Sequence, residues 1–148
     1  MSLTNLLYHL VFATQDRHPW ITDEIEQQLY EYLGGIIRGQ RGTSLEINGV
    51  EDHVHMLAKL HQSRAVADVL RELKSESYRW LHQNVDSADR FAWQPGYAAF
   101  TVSESQVERV RRYIRNQKQH HRTSDFREEL IALLNAHRIE FDEKYLLK

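Results

Sequence analysis

The chain has no cysteine. That excludes disulfides, thiolate metal sites and a cysteine nucleophile, and it suits a reducing cytoplasm. Repeats, linkers and low-complexity stretches are also missing. The 148 residues suffice for one domain with a proper core and are too few for two comfortable ones. No apolar run is long. Leu6 to Ala13 comes nearest, but His9 interrupts it and no basic segment precedes it. It reads as a poor signal peptide and is far too short to span a bilayer, so no membrane partner is expected. Nor does charge of one sign dominate. A net charge of -2 excludes a globally basic nucleic-acid binder.

What is present is ordinary in amount, with 41% hydrophobic and 27% charged residues, and uneven in placement. Arg109, Arg111, Arg112, Arg115, Lys118 and Arg122 fall in one stretch without an acid, whereas Ile21 to Ile37 holds Asp23, Glu24, Glu26 and Glu31 without a base. Such a basic stretch suits phosphate contacts, and equally a solvated helix face.

The patterning gives an order of elements. Leu6 to Thr14 reads as a strand. A helix follows from the N-cap candidate Thr22 through Ile25, Leu29, Leu33 and Ile37, ended by Gly39 and Gly42. Ser44 to Val50 and His53 to Leu60 read as a hairpin around Glu51 and Asp52. Val66, Val69, Leu70, Leu73, Trp80 and Leu81 form the stripe of a second helix. Phe91 to Val102 reads as a strand with an irregular start at Pro95 and Gly96. A third helix is expected over about 104–122, with capping boxes at Ser103 and Ser105, and a helical tail over 123–148. This β-α-β-β-α-β order predicts an α+β, ferredoxin-like (RRM-like) sandwich with an added C-terminal helix, all in one domain over 1–148. One sheet face then needs cover from extra helices, a partner or a nucleic acid.

On the third strand, His53-Val54-His55 puts two imidazoles on one face, half of a metal site. The pattern alone is weak: with nine histidines a His-x-His pair arises by chance about half the time. Tyr113 and Gln117 are four apart on the third helix, so they project about 40° from one another. Arg112 adjoins the tyrosine, and Arg109 and Arg115 lie within a turn. A phenol with a pKa of about 10 needs such cations, or a metal, to serve as a nucleophile. Taken singly, Tyr113 also reads as an edge-of-core aromatic. His120 and His121 follow a polar helix end and read as solvated or phosphate-facing. Trp20, Trp80 and Trp93 could stack on bases, although Trp80 lies on the apolar stripe.

His53-Val54-His55 with Tyr113-Ile114-Arg115-Asn116-Gln117 resembles the histidine-hydrophobic-histidine signature and tyrosine helix of single-tyrosine HUH transposases. These are the TnpA-type enzymes of small insertion sequences, including REP-associated tyrosine transposases. The opening YHLVFAT with Arg17 and Pro19, then Gly96-Tyr97, Phe100-Thr101-Val102-Ser103 and the late Ile139 to Tyr145, are similar to the same family. The resemblance covers nearly the whole chain in order.

It implies a DNA transposase in which His53, His55 and Gln117 hold Mg2+ or Mn2+ and Tyr113 forms a 5′-phosphotyrosine. Arg71 and Lys74 on the second helix, with Arg109, Arg112, Arg115 and Lys118 on the third, would contact DNA. The implied partners are single-stranded DNA hairpins and a second copy of the chain, the homodimer sharing its active sites, in the cytoplasm. A domesticated REP-associated enzyme, or a hairpin-binding module without catalysis, remains open at this point.

Overall fold

The computed structural model describes residues 1–146. Its elements run β1 (Leu6–Ala13), α1 (Asp23–Gly39), β2 (Thr43–Val50), β3 (His53–Leu60), α2 (Val66–Asn84), β4 (Ala98–Val102), α3 (Val107–Arg115), α4 (Gln117–His120) and α5 (Phe126–Ala136). The sheet order is β2-β3-β1-β4, every neighbouring pair antiparallel, which is the split β-α-β arrangement of a ferredoxin-like sandwich. The predicted fold is the one observed.

Strand alternation sorts the side chains into two cores. Leu10, Phe12, Val54, Met56 and Ala58 pack with Leu29 and Leu33 of α1 and Leu70 and Leu73 of α2. Val11, Ala13 and Phe100 point the other way and pack against Phe126, Leu130 and Leu134 of α5. The face that the sequence left open is thus covered by the chain's own tail.

Three local readings change. The strand expected over Phe91 to Val102 is continuous only from Ala98. Pro95 has no N–H for the ladder, Gly96 adopts φ +88°, and Lys74 Nζ draws off the carbonyls of Gln94 (2.6 Å) and Gly96 (2.7 Å). The single helix expected over 104–122 is a 3-10 turn at Glu104–Gln106, then α3, a break at Asn116, and α4. Asn48 Nδ2 donates to the carbonyls of Ile114 and Arg115, both at 3.0 Å, across from that break. The capping boxes do not form either: Ser103 makes no side-chain bond to the helix start and instead meets the Ser105 hydroxyl at 3.0 Å.

The β2–β3 turn lies at Glu51 and Asp52 as expected. Gly49 is required beside it, because a Cβ there would lie 2.1 Å from the His53 carbonyl oxygen. Trp93 belongs to the first core, donating to Ser77 Oγ at 3.0 Å, while Trp80 stacks on Tyr32 and Trp20 packs at the core's rim. None is laid out as a base-stacking platform.

Candidate active site

β1 and β3 pair so that Val11 opposes His55 and Ala13 opposes His53. The two-residue period then brings His53, His55 and His9 onto the sheet face opposite α1 and α2. All three are buried, His53 and His55 completely. His9 Nε2 lies 2.8 Å from His55 Nδ1, and His53 Nδ1–H donates to Asp52 Oδ1 at 2.7 Å. The outer nitrogen of each strand histidine is therefore tied, and Nε2 of each faces inward.

α3 and α4 supply the next layer over β2 and β3. Gln117 is fully buried, with Oε1 3.2 Å from His53 Nε2. Tyr113 sits one turn earlier, partly exposed, its ring centroid 5.8 Å from that of His55. The structure thus brings together all four residues that sequence reasoning placed at the chemistry.

Two more join them, His121 from the end of α4 and Glu129 from α5. Glu129 on α5 is 2% exposed, and its Oε1 lies 3.1 Å from His53 Nε2, 3.0 Å from His55 Nε2 and 2.9 Å from His121 Nε2. Its Oε2 accepts from Gln117 Nε2 at 2.7 Å and from the Tyr113 hydroxyl. His121 is correspondingly not the solvated group that sequence reasoning favoured: its side chain is 8% exposed and turns into the cluster. His120 stays nearer the surface, its side chain 37% exposed. Glu129 was missed, yet it had a signal. It interrupts the stripe of Phe126, Leu130 and Leu134, and a carboxylate on the buried side of a helix needs partners.

His53, His55, His121 and Glu129 each offer a donor atom within 4.8 Å of the others, a grouping that could hold a divalent ion. The sequence profile described as "Transposase IS200 like" matches residues 2–117. This chain belongs to that family.

The "ISDra2 transposase TnpA" of Deinococcus radiodurans is 27% identical over 119 residues, covering 76% of this chain and 84% of that protein. A solved transposase structure from Deinococcus radiodurans is 27% identical and superposes with a TM-score of 0.65 over 78% of this chain and 93% of the other. A REP-associated tyrosine transposase, solved bound to a REP hairpin, shares the fold at 13% identity, with a TM-score of 0.61 over 82% of this chain and 71% of that one. His121 and Glu129 lie beyond the segment that the IS200-like profile matches.

Burial dominates the electrostatics of this IS200-like site and is answered differently at each group. It lowers His9 to about 3, helped by His55, and lowers His55 to about 4 despite the Glu129 carboxylate. At His53 burial is outweighed by hydrogen bonds to Asp52 and Glu129, which lift it to about 9. Burial works against the charge of Glu129 too, but hydrogen bonds from His121, His53 and His55 hold it below the carboxylate range. Tyr113 is pushed up, by burial and then by its bond to Glu129, so its hydroxyl keeps its proton in this arrangement.

The transposase's basic residues divide into two groups. Arg109 and Arg112 are exposed on α3. Arg71 pairs with Asp68 at 2.9 Å, Arg115 with Glu46 at 3.0 Å, and Lys118 with Glu26 of the acidic helix. Burial lowers Lys74, which is spent on the carbonyls before β4. No helix among the described residues is long and apolar enough to cross a membrane.

Proposed function

We propose that this transposase cuts and rejoins single-stranded DNA through a 5′-phosphotyrosine on Tyr113, with Mg2+ or Mn2+ held at His53, His55 and Gln117. One observation carries the reading. The Tyr113 hydroxyl reaches the same buried carboxylate that His53, His55 and Gln117 touch. Nucleophile and candidate ligands therefore meet at one point, although 60 residues of chain separate Tyr113 from His53.

Tyr113 Oη attacks the scissile phosphorus in line. Its proton leaves toward Glu129 Oε2, the atom that already accepts its hydrogen bond. The bond to the 3′-oxygen breaks and that oxygen takes up the proton that Tyr113 released, giving a 5′-phosphotyrosine and a strand with a free 3′-hydroxyl. Attack by a 3′-hydroxyl on the phosphotyrosine restores a phosphodiester and the phenol. One ester is exchanged for another, so no nucleotide cofactor is consumed. A divalent ion would polarise a non-bridging phosphate oxygen and stabilise the departing 3′-oxygen.

The substrate is a DNA hairpin near an element end, acted on in the cytoplasm. The hairpin-bound REP-associated relative supports this choice. Exposed Arg109 and Arg112 are placed for its backbone. Arg71, Arg115 and Lys118 would exchange Asp68, Glu46 and Glu26 for phosphate, and Lys74 would release two carbonyls.

Incubation of the wild type and Tyr113→Phe with Mn2+ and hairpin oligonucleotides labelled 3′ of the cut tests the reading on denaturing gels. The wild type is expected to yield a protein-linked band, and Tyr113→Phe to bind hairpins without forming one. His55→Ala should lose metal binding and cleavage together. An adduct from Tyr113→Phe would remove the tyrosine from its role.

A homodimer that shares its sites is a second arrangement of the same reading, since within one chain Tyr113 already meets the carboxylate beside its own histidines. Mixing Tyr113→Phe with His55→Ala restores one intact site per heterodimer if tyrosines are exchanged. The mixture stays inactive if each chain keeps its tyrosine at its own histidines.

A further inference from the structure

We infer that His121, at the end of α4, and Glu129, on α5, are ligands of the same metal ion as His53 and His55, so that the ion fastens α5 onto the sheet. The inference rests on the metal-dependent reading above and extends it to residues outside the family-matched segment.

The first argument is the direction of the donors. Each of the three imidazoles is engaged at Nδ1 on its outer side: His53 with the Asp52 carboxylate (2.7 Å), His121 with the Ser124 carbonyl (2.8 Å) and His55 with His9 Nε2 (2.8 Å). A carboxylate and a carbonyl only accept, so they hold a proton on Nδ1 of His53 and His121, and Nε2 is the nitrogen that an ion would meet, its own proton being released when the metal binds. His9 can accept from His55 in the same way. Outer-side tethers of this kind orient metal-bound histidines.

The second argument is what meets in the middle. Three Nε2 atoms, Gln117 Oε1 and Glu129 Oε1 converge, and the two oxygens can only accept. Gln117 Oε1 lies 3.2 Å from His53 Nε2 and 3.1 Å from His121 Nε2. Glu129 Oε1 has two lone pairs for hydrogen bonds, yet three Nε2 atoms lie 2.9 to 3.1 Å from it. One divalent cation satisfies every donor at once.

Spacing agrees. Donors about 2.1 Å from a common ion lie about 3.0–3.4 Å apart in octahedral or tetrahedral arrangements. Glu129 Oε1 is 2.9 to 3.1 Å from the three Nε2 atoms. Three imidazoles and one carboxylate also form a softer set than Mg2+ selects, which points to Mn2+ between the two ions considered.

The test uses the full-length, metal-free protein. Mn2+ and Mg2+ are titrated calorimetrically into the wild type, Glu129→Gln, His121→Ala and His55→Ala, with circular dichroism checking that each is folded. Mn2+ should bind the wild type at least tenfold tighter than Mg2+. Each of the three variants should weaken Mn2+ binding by tenfold or more. In parallel, Mn2+ should slow hydrogen exchange of α5 amides in the wild type and leave Glu129→Gln unchanged. Wild-type Mn2+ affinity in Glu129→Gln and His121→Ala, with loss only in His55→Ala, overturns His121 and Glu129 as ligands and leaves the histidine-pair reading standing. Unchanged affinity in His55→Ala overturns both. If the variants do not fold, the wild type still decides: no protection of α5 by Mn2+ refutes the inference.

Discussion

His53 and His55 sit two residues apart on one strand, in the same buried layer, yet their partners leave them with opposite charge preferences. His53 has carboxylates on both sides, which outweigh its burial and lift it to about 9, whereas at His55 burial prevails over Glu129, helped by His53 and His121, and takes it to about 4. In the metal-free protein the linkage follows from these directions. His9 and His55 have folded values below 6.5, so the unfolded chain takes up their protons first. Their contribution is lost as pH falls below about 6.5 and on through about 4 and about 3. His53 has the opposite sign, its contribution complete below about 6.5 and lost as pH rises through about 9. The urea midpoint measured in EDTA should therefore drop from pH 7 to pH 5. His9→Gln, which can still hydrogen-bond His55, should reduce the drop. An equal drop in both proteins would mean that His9 is not buried neutral in solution. At this scale strand and helix periods put His53 with His55, and Tyr113 with Gln117, on shared faces, while the roles expected of them came from the resemblance to the transposases. Glu129 escaped because the destination of α5 depends on the second core, and His121 because its turn at the end of α4 brings it in beside that helix.

Among the elements, the β2–β3 hairpin does most to position the site. It carries Asn48, which grips the end of α3, and Asp52, which orients His53. Gly49→Ala places a methyl group 2.1 Å from the His53 carbonyl oxygen, so the strands must separate there. The expected cost is about 1–3 kcal/mol in stability, read as a lower thermal midpoint, together with weaker Mn2+ binding because His53 moves. Unchanged metal affinity in a folded Gly49→Ala protein would show that the hairpin does not set the histidine. β3 was legible to the residue, since alternation and its flanking turn both act locally. The break at Asn116 was not, because Asn48, 66 residues from Ile114, faces it from a different element. The late start of β4 depends likewise on Lys74, more than 20 residues upstream of Ala98, and only its Pro-Gly marker was visible.

For the whole molecule the sheet divides two cores of unequal depth. The one under α1 and α2 holds most of the buried apolar side chains, and the one under α5 holds few. Leu134→Ala, at 7% exposure, should cost about 2–3 kcal/mol, the lower end for such truncations. The loss should fall on α5 first. Hydrogen exchange is expected to show α5 amides opening at lower denaturant than those of α1, and Mn2+ affinity should fall with them. If α1 and α5 opened together, the two faces would be one cooperative unit. The overall fold was readable because β-α-β-β-α-β has few compact solutions. What covers the second face was left open, since a short amphipathic helix does not announce its destination.

Asn116 separates Tyr113 from Gln117, placing the proposed nucleophile on α3 and the buried amide on α4. A change of backbone angles at that one residue could carry the phenol away while Gln117 stays between His53 and His121. The two parts of the centre would then keep different clocks. The ion would remain a long-lived fixture of one chain, and the tyrosine, still bonded to its DNA strand, could travel to a new junction without the metal being surrendered and recaptured at each exchange.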